Sequence, residues 1–228
     1  MKLTSEQIDH LYVFTRQHFV EWYDLQTELV DHLANGIEQQ GVENSKISFE
    51  EALQIEFKKF GIFGFMDVVE NRQQALHKRY HKMVWQHFKG FFTIPKIFGT
   101  LAFFGILTQS MLNLKHAYLI ILSLFILVSI VFWIGVFKMS KKNQKETKIS
   151  GRKWLLKDII FRLGSFSGFT FLPFQFALHI EQGIQSAVTI SFLVTCYLLL
   201  GYIVLVIIPS KAEEYLKEMY PEYNFQNQ

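Results

Sequence analysis

The clearest grouping of side chains that could do chemistry lies early in the chain. Glu28 and His32 are four residues apart, and Asp31 and Asn35 repeat that spacing. Because a helix completes one turn in about 3.6 residues, all four side chains would project from the same side of a helix. Carboxylates, an imidazole and an amide on one face could bind a metal ion or another protein.

A metal site on this face would need a further ligand. His10 or His18, both in the preceding predicted helix, could supply it. Such a face is more often solvated or paired with a neighbouring helix, so we predict no metal here. We expect the face to bind a cytoplasmic protein partner instead.

A second polar group lies near the end of an apolar segment. Gln175 and His179 are one turn apart, and Glu181 follows. The group could line the mouth of a pathway, but interfacial hydrogen bonding is the interpretation we favour. Gly164 and Gly168, earlier in the same segment, form a G-x-x-x-G motif. This motif predicts close packing between helices, which we favour over a substrate path.

Motifs that carry known enzymatic chemistry are missing from the sequence. It contains no H-E-x-x-H, no G-x-S-x-G, no phosphate-binding loop and no dinucleotide fingerprint. Cys196 is the single cysteine and lies in an apolar segment, which excludes a disulfide framework. The sequence therefore predicts no cofactor and no enzymatic activity.

Charge divides the chain into two parts. Residues 1–76 carry 13 acidic against 6 basic side chains, a net charge of −7, whereas the rest has a net charge of +10. The positive charges stand beside long apolar segments, so we do not expect nucleic-acid binding. This asymmetry indicates an acidic soluble part followed by a basic membrane part.

Residues 1–84 have the pattern of a small cytoplasmic helical domain. Thr4 and Ser48 each stand three residues before a Gln or Glu, the spacing of a capping box, and predict two helix starts. Asp24 predicts another helix start as an N-cap, and a fourth helix is predicted from about Phe63. The expected common core contains Trp22, Leu29, Leu33, Leu53, Phe57 and Phe60.

This order of helices resembles the HAAS signalling domain, an all-helical module of bacterial membrane proteins that often occurs beside PadR-type regulators. The resemblance covers about residues 20–75, in the runs DLQTELVDHLANGIEQ and SFEEALQIEFKKFG. The matching positions are Glu28, Asp31, His32, Leu33, Glu50, Glu51, Ala52, Phe60 and Gly61. The run FGIFGF is more apolar than the resemblance leads us to expect, and the first helix is more aromatic. The resemblance implies a non-catalytic interaction module.

Basic and aromatic side chains alternate just after this domain. The residues predicted to lie on the membrane surface are Lys78, Arg79, Lys82, Trp85 and Lys89. Lysine and arginine attract anionic headgroups, and tryptophan favours the lipid interface. We predict an amphipathic segment on the cytoplasmic leaflet; the alternative is flanking charge that only sets topology.

Four transmembrane helices are predicted between residues 85 and 209. Their approximate bounds are 94–112, 117–137, 159–180 and 184–208. The second holds 21 residues without a charge, and such a helix is about 31 Å long, close to the hydrocarbon thickness of a bilayer. A buried helix of a soluble protein is the alternative, but it would rarely lack a polar face over this length. We therefore expect an all-α protein with a four-helix transmembrane bundle and a cytoplasmic tail, 210–228.

The distribution of lysine and arginine predicts the topology. Lys138–Lys157 contains eight basic side chains against Glu146 as the single acid, which places it in the cytoplasm. We predict that both termini are cytoplasmic and that only Met111–His116 and Glu181–Gly183 face outwards.

The sequence thus favours a regulatory or interaction protein of a bacterial inner membrane. The bilayer and a cytoplasmic protein are its expected partners, and the sequence is compatible with a homo-oligomer. The alternative is a small transporter or permease subunit, which the absence of ionisable side chains from the centres of the spans disfavours.

Overall fold

The structure, a computed structural model, describes residues 2–113, 117–162, 183–220 and 223. Every regular element within these ranges is helical, which confirms the all-α class. The helices are α1 (Ser5–Gln17), α2 (Tyr23–Glu43), α3 (Phe49–Lys58), α4 (Met66–Gly90), α5 (Lys96–Asn113), α6 (Ala117–Ser150), α7 (Leu155–Arg162), α8 (Ile184–Ser210) and α9 (Ala212–Met219). A π-helical turn, Ile203–Ile207, lies inside α8.

The described chain forms two compact units. The first contains the residues up to Leu76 together with Thr147–Asp158, and the second contains His77–Glu146 and the residues from Ile159 onwards. The first unit therefore ends eight residues before the predicted boundary at Val84 and takes in a segment far away in the sequence. Sequence periodicity cannot reveal such a discontinuous unit, because it reports only local structure.

Both predicted capping boxes form. Thr4 and Ser48 accept hydrogen bonds from the backbone N–H of Gln7 and Glu51, whose side chains in turn accept from the cap N–H. The predicted N-cap at Asp24 is wrong, because α2 begins at Tyr23 with Trp22 at the N-cap position, so that Asp24 lies inside the first turn.

The core of the first unit comes mainly from α1, α2 and α3. Leu29, Leu33 and Leu53 are buried as predicted, whereas Phe57 and Phe60 are only partly buried. Trp22 is also partly buried. The residues that complete this core include Leu11, Phe14, Val20, Leu25, Ile37, Phe49, Ala52 and Phe65.

A buried carboxylate joins α3 to α2. Glu56 accepts hydrogen bonds from Gln40 and from Lys59, whose Nζ lies 2.6 Å from Glu56 Oε1. Gly36 makes room for it, since a Cβ at that position would lie 2.4 Å from Glu56 Cδ. The glycine is therefore a packing requirement of this helix pair.

In the second unit α5 and α6 both pack against α8. The buried cluster consists of Phe125, Ile190, Val194 and Tyr197. The Tyr197 hydroxyl donates to Ser129 Oγ at 3.1 Å, so a polar contact inside this apolar cluster is satisfied.

The tail helix α9 packs against the last turns of α4. His87 Nε2 and the Tyr215 hydroxyl share a hydrogen bond of 2.9 Å, and Arg79 Nη2 lies 3.4 Å from Glu218 Oε1. Leu216 of α9 is fully buried, as is Tyr80 on the same side of α4. The predicted cytoplasmic tail is thus partly a packed helix.

The structure supports the four predicted transmembrane helices to different extents. Among the described residues one helix, α8, is long and apolar enough to cross a membrane by length and composition. The predicted span 117–137 belongs to the longer α6, which continues through much of the basic loop because Lys, Gln and Glu form helices readily. Most of the predicted span 159–180 lies outside the described residues, as does part of each predicted outer link.

Candidate functional site

The segment Arg152–Leu155 docks on the first turn of α2, and we call it the docking segment. The Tyr23 N–H donates to the Lys153 carbonyl at 2.7 Å. The Leu155 N–H, at the start of α7, donates to Asp24 Oδ1 at 3.2 Å. A carboxylate at a helix N-terminus satisfies an N–H that would lack an intrahelical partner and lies at the positive end of the dipole.

Lys153 carries most of the electrostatic contact. Its Nζ lies 2.6 Å from Glu21 Oε2 and 3.6 Å from Asp158 Oδ2. The same ammonium lies 4.7 Å from the centre of the Trp22 ring, and the side chain is only 17% exposed. Two carboxylates and an aromatic face around one shielded cation bind more strongly than an exposed surface pair.

Aromatic packing reinforces the docking segment. Trp154 is buried, and its ring centroid lies 5.4 Å from that of Tyr23 at an interplanar angle of 68°. The Arg152 guanidinium lies 4.4 Å from the Tyr23 centroid. Leu155 and Leu156 are buried as well, so the segment is an integral part of the first unit.

An open groove of about 840 Å³ lies beside the docking segment. Its walls come from α1, from the first turn of α2 and from Ser150–Lys153. Tyr12 and Tyr23 line it with nearly parallel rings whose centroids are 6.3 Å apart. Both negatively and positively charged side chains line the groove, namely Asp9, Glu21, Arg16, Arg152 and Lys153. Such a lining favours a polar contact surface and gives no arrangement of nucleophile and base.

The predicted partner-binding residues lie together on α2. Glu28, Asp31, His32 and Asn35 are all exposed, on the face opposite the buried leucines of that helix. Asn35 Nδ2 donates to Asp31 Oδ2 at 3.4 Å, and Arg72 Nη2 lies 3.9 Å from Glu28 Oε2. Because these contacts are long and exposed, they leave the carboxylates accessible to a partner.

The histidines considered for a metal site contact aromatic rings instead. His10 packs on Phe49 and His32 on Phe60, with centroids 5.6 Å and 5.5 Å apart. His18 Nδ1 lies 2.8 Å from the Phe14 carbonyl oxygen. In the part of the chain that the structure describes, no three His, Cys, Asp or Glu side chains are grouped to hold a metal ion.

The predicted membrane-surface residues form a stripe along α4. Lys78, Lys82, Trp85 and Lys89 are exposed at intervals of four, three and four residues, so they share one side of the helix. Arg79 is exposed beside this stripe and pairs with Glu218. The opposite side is buried through Tyr80, Met83 and Val84. This part of α4 is therefore amphipathic, with its apolar side turned into the protein, and contact of the exposed stripe with a membrane surface stays a prediction.

Several residues singled out in the sequence lie outside the described ranges. These are Gly164, Gly168, Gln175, His179 and Glu181. Their predicted roles stay predictions.

No family model matches the sequence, and no curated protein or solved structure shows a significant match either. The resemblance to the HAAS domain is neither supported nor contradicted by these comparisons and stays a prediction.

Sequence reasoning missed the docking segment. Trp154, Leu155, Leu156, Ile159 and Ile160 follow helical spacing, but they precede an apolar run and merge with it. The sequence feature that could have indicated the contact is a tryptophan and two leucines directly after a lysine-rich stretch, since such side chains are usually buried against another part of the protein. Their partner, the first turn of α2, is separated from them by about 130 residues, and no local pattern links the two.

Proposed function

We propose that the protein is a non-enzymatic regulatory or interaction protein of a bacterial inner membrane, whose first unit binds a cytoplasmic protein. The observation that carries this proposal is the discontinuous first unit. The chain leaves that unit after Leu76 and re-enters it at Thr147. The acidic helical unit and the basic loop would therefore lie on the same side of the membrane.

This return supports the proposed topology. If residues 77–146 cross a membrane, they must cross it an even number of times, and α5 and α6 provide two crossings. The docking segment belongs to the loop whose eight basic side chains favour the cytoplasm. Both termini are then cytoplasmic if two further spans, one of them α8, follow the loop.

Exposed apolar side chains support a lipid environment for these helices. The exposed large apolar residues in the predicted span of α6 include Ile126, Leu127, Ile130, Val131, Trp133, Ile134 and Phe137. Those of α5 include Phe98, Leu101, Phe103 and Ile106. Water-soluble monomers rarely expose continuous apolar surface on this scale, whereas a bilayer requires it.

The acidic face of α2 supports the binding role. Glu28, Asp31, His32 and Asn35 present acceptors on a rigid helix that is fixed by its buried opposite side. A partner with a basic surface fits this face, and its encounter would be accelerated by the net charge of −7 on residues 1–76. The predicted HAAS resemblance points to the same role.

Cysteine labelling in intact inside-out and right-side-out vesicles tests the topology. Lys145→Cys in the basic loop and Asn44→Cys in the first unit, both in a Cys196→Ser background, should react with an impermeant maleimide only in inside-out vesicles. Reaction of both in right-side-out vesicles would contradict the orientation, and reaction of only one would contradict the shared side.

A photo-crosslinking amino acid at His32 tests the binding role in the full-length protein. We expect one discrete cytoplasmic protein to crosslink at His32 and not at the matched exposed control, Glu50. Glu28→Lys with Asp31→Lys should abolish this product because the change reverses the local charge. Crosslinking that persists in the reversed variant would show that the acidic face is not the contact.

A further inference from the structure

One side of α6 carries four lysines just beyond the predicted span 117–137. They are Lys138, Lys141, Lys142 and Lys145, and we call them the lysine face. Their spacing of three, one and three residues places them on the same side of the helix, and all four are exposed. The opposite side of α6 is buried at this level through Val136 and Asn143. The lysine face is therefore a defined surface of a folded helix.

The lysine face has few counter-charges. No Asp or Glu occurs from Ala117 to Lys145, and the next residue, Glu146, lies 3.8 Å from Lys142 Nζ at an exposed site. Among the residues that the structure describes, Lys138 and Lys145 form no ion pair. Lysines three and four residues apart on a helix repel one another. Loop charge that only sets topology requires the number of lysines but not this alignment.

A bilayer can neutralise only the start of the lysine face. Since α6 runs unbroken from Ala117 to Ser150, Lys145 lies seven residues further along the helix than Lys138, a rise of about 10 Å. The headgroups extend only about 5–8 Å beyond the hydrocarbon on each side. If the span ends at Phe137, Lys145 lies past the headgroups. The far end of the lysine face is then available to an acidic protein surface.

The acidic face of α2 has the same spacing and the opposite charge. Its residues, again three, one and three positions apart, are Glu28, Asp31, His32 and Asn35. Helix α2 contains no Lys or Arg. From the neighbouring helices, Arg72 lies 3.9 Å from Glu28 Oε2 with both side chains well exposed, and Lys59 is held by Glu56. Exposed pairs at such distances are weak, so the contact with Arg72 can be exchanged for another cation.

Two helices that meet along these faces bring opposite charges together. Each face covers about 10 Å of helix, so the two match in length. Glu28 and Asp31 then lie opposite lysines, which relieves the repulsion within the lysine face. Charges at the edge of a helix pair select the partner in the same way in coiled coils. The chain thus contains both sides of a helix–helix contact.

We propose that the lysine face is the docking site for the acidic face of a second copy of this protein. The proposal rests on the proposed function, which holds the copies in one membrane with both faces in the cytoplasm. Single exposed ion pairs are weak, but confinement in a bilayer supplies the high effective concentration that they need. In a two-fold dimer each copy offers both faces, so the contact forms twice and the assembly closes. Because the cytoplasmic partner binds the same acidic face, self-association and partner binding exclude each other.

Charge reversal of each face in the full-length protein tests the contact. Glu28→Lys with Asp31→Lys reverses the acidic face. Lys141→Glu with Lys145→Glu reverses the lysine face. The matched control is listed separately because it makes the same change of charge as the first variant at exposed sites outside the acidic face, namely Glu50→Lys with Glu70→Lys.

Energy transfer between donor-labelled and acceptor-labelled copies in phosphatidylcholine vesicles measures the association. The dyes are attached at Asn44→Cys in a Cys196→Ser background. Each reversed variant alone should show severalfold less transfer than the wild-type protein, and the control variant should keep the wild-type level. A 1:1 mixture of the two reversed variants should restore the transfer, because a lysine-bearing α2 then meets a glutamate-bearing α6. Raising the salt from about 0.1 M to about 1 M should lower the transfer, since the Debye length falls from about 10 Å to about 3 Å.

Each outcome has a distinct meaning. Equal transfer in the wild-type protein and in both reversed variants overturns the contact between copies and leaves the proposed function standing, because crosslinking of a cytoplasmic protein at His32 needs no second copy. Loss in both variants without restoration in the mixture also overturns it, since the two faces then bind different partners. Loss of wild-type transfer on addition of phosphatidylglycerol would assign the lysine face to the bilayer instead. Failure of the wild-type protein to float with the vesicles would contradict the membrane location and, with it, the proposed function.

Discussion

At the scale of single residues, Phe19 combines a left-handed backbone with an exposed ring. The left-handed conformation costs a non-glycine residue about 1–2 kcal/mol. Glycine would avoid this cost but would lose about 0.5–1 kcal/mol through the entropy of the unfolded chain. Phe19→Gly should therefore raise the free energy of unfolding of the first unit by about 0.5–1 kcal/mol.

Chemical denaturation followed by circular dichroism measures this change. Phe19→Ala is the matched control, because alanine removes the ring but keeps the strained Cβ, and it should give no such gain. A loss of stability in Phe19→Gly would mean that contacts of the Phe19 ring stabilise the first unit by more than the backbone strain costs.

At the scale of elements, Asp24 joins the start of α2 to the start of α7 through the Leu155 N–H. Asp24→Ala removes a charged acceptor from a buried N–H, and loss of such a cap costs about 1–2 kcal/mol. Amide exchange at Leu155 and Leu156 should become about tenfold faster, since 1.4 kcal/mol corresponds to a factor of ten.

Hydrogen-exchange mass spectrometry on the full-length protein measures this opening. Asp24→Asn is the control, because its amide oxygen still accepts from Leu155 and should preserve most of the protection. Equal exchange in the wild-type protein and in Asp24→Ala would show that the remaining contacts of Lys153 and Trp154 are sufficient to hold the docking segment.

The contact between α4 and α9 should depend on pH. Burial lowers the pKa of His87, and the positive charges of Lys211 and Lys96 lower it further. The packed helix pair thus disfavours the protonated imidazole relative to the open state. The contribution of neutral His87 to the stability of this helix pair is therefore fully present above the ordinary histidine pKa of about 6.5. That contribution is lost as the pH falls below this value.

Limited proteolysis of the tail at pH 7.5 and pH 5.5, with rates corrected on an unstructured peptide, checks this dependence. We expect cleavage in α9 to be faster at the lower pH in the wild-type protein. His87→Gln keeps a hydrogen-bonding side chain opposite Tyr215 but cannot titrate there, so its cleavage should change much less with pH. An equal change in both proteins would assign the effect to another group.

At the scale of the whole molecule, the sequence predicted what local physics determines. The capping boxes at Thr4 and Ser48 and the buried leucines of α2 follow from spacing alone, and they formed. The exposed acidic face on α2 and the stripe on α4 follow from the same periodicity. The docking segment does not follow from spacing. The capping rule predicts that Asp24 caps its own helix, α2, but in the structure Asp24 accepts a hydrogen bond from the Leu155 N–H of the distant α7. The requirement for glycine at position 36 could not be predicted either, because it depends on the position of the Glu56 side chain of another helix.

The discontinuous first unit leads to a prediction about its folding. Residues 1–76 alone would lack Trp154 and Leu155, which are buried in the intact chain. Burying each such side chain contributes about 1.5–3 kcal/mol, part of which is offset by ordering the added segment. A fragment in which 147–158 is joined to 1–76 by a flexible linker should therefore be more stable than 1–76 by about 2 kcal/mol.

Urea denaturation of the two fragments measures the difference. The linked fragment with Trp154→Ala and Lys153→Glu is the matched control, because it has the same length but loses the ring contact with Tyr23 and the ion pair with Glu21. It should unfold at nearly the same urea concentration as 1–76. If all three fragments unfold together, the segment 147–158 adds nothing to the first unit. The return of the chain would then no longer support two crossings between Leu76 and Thr147.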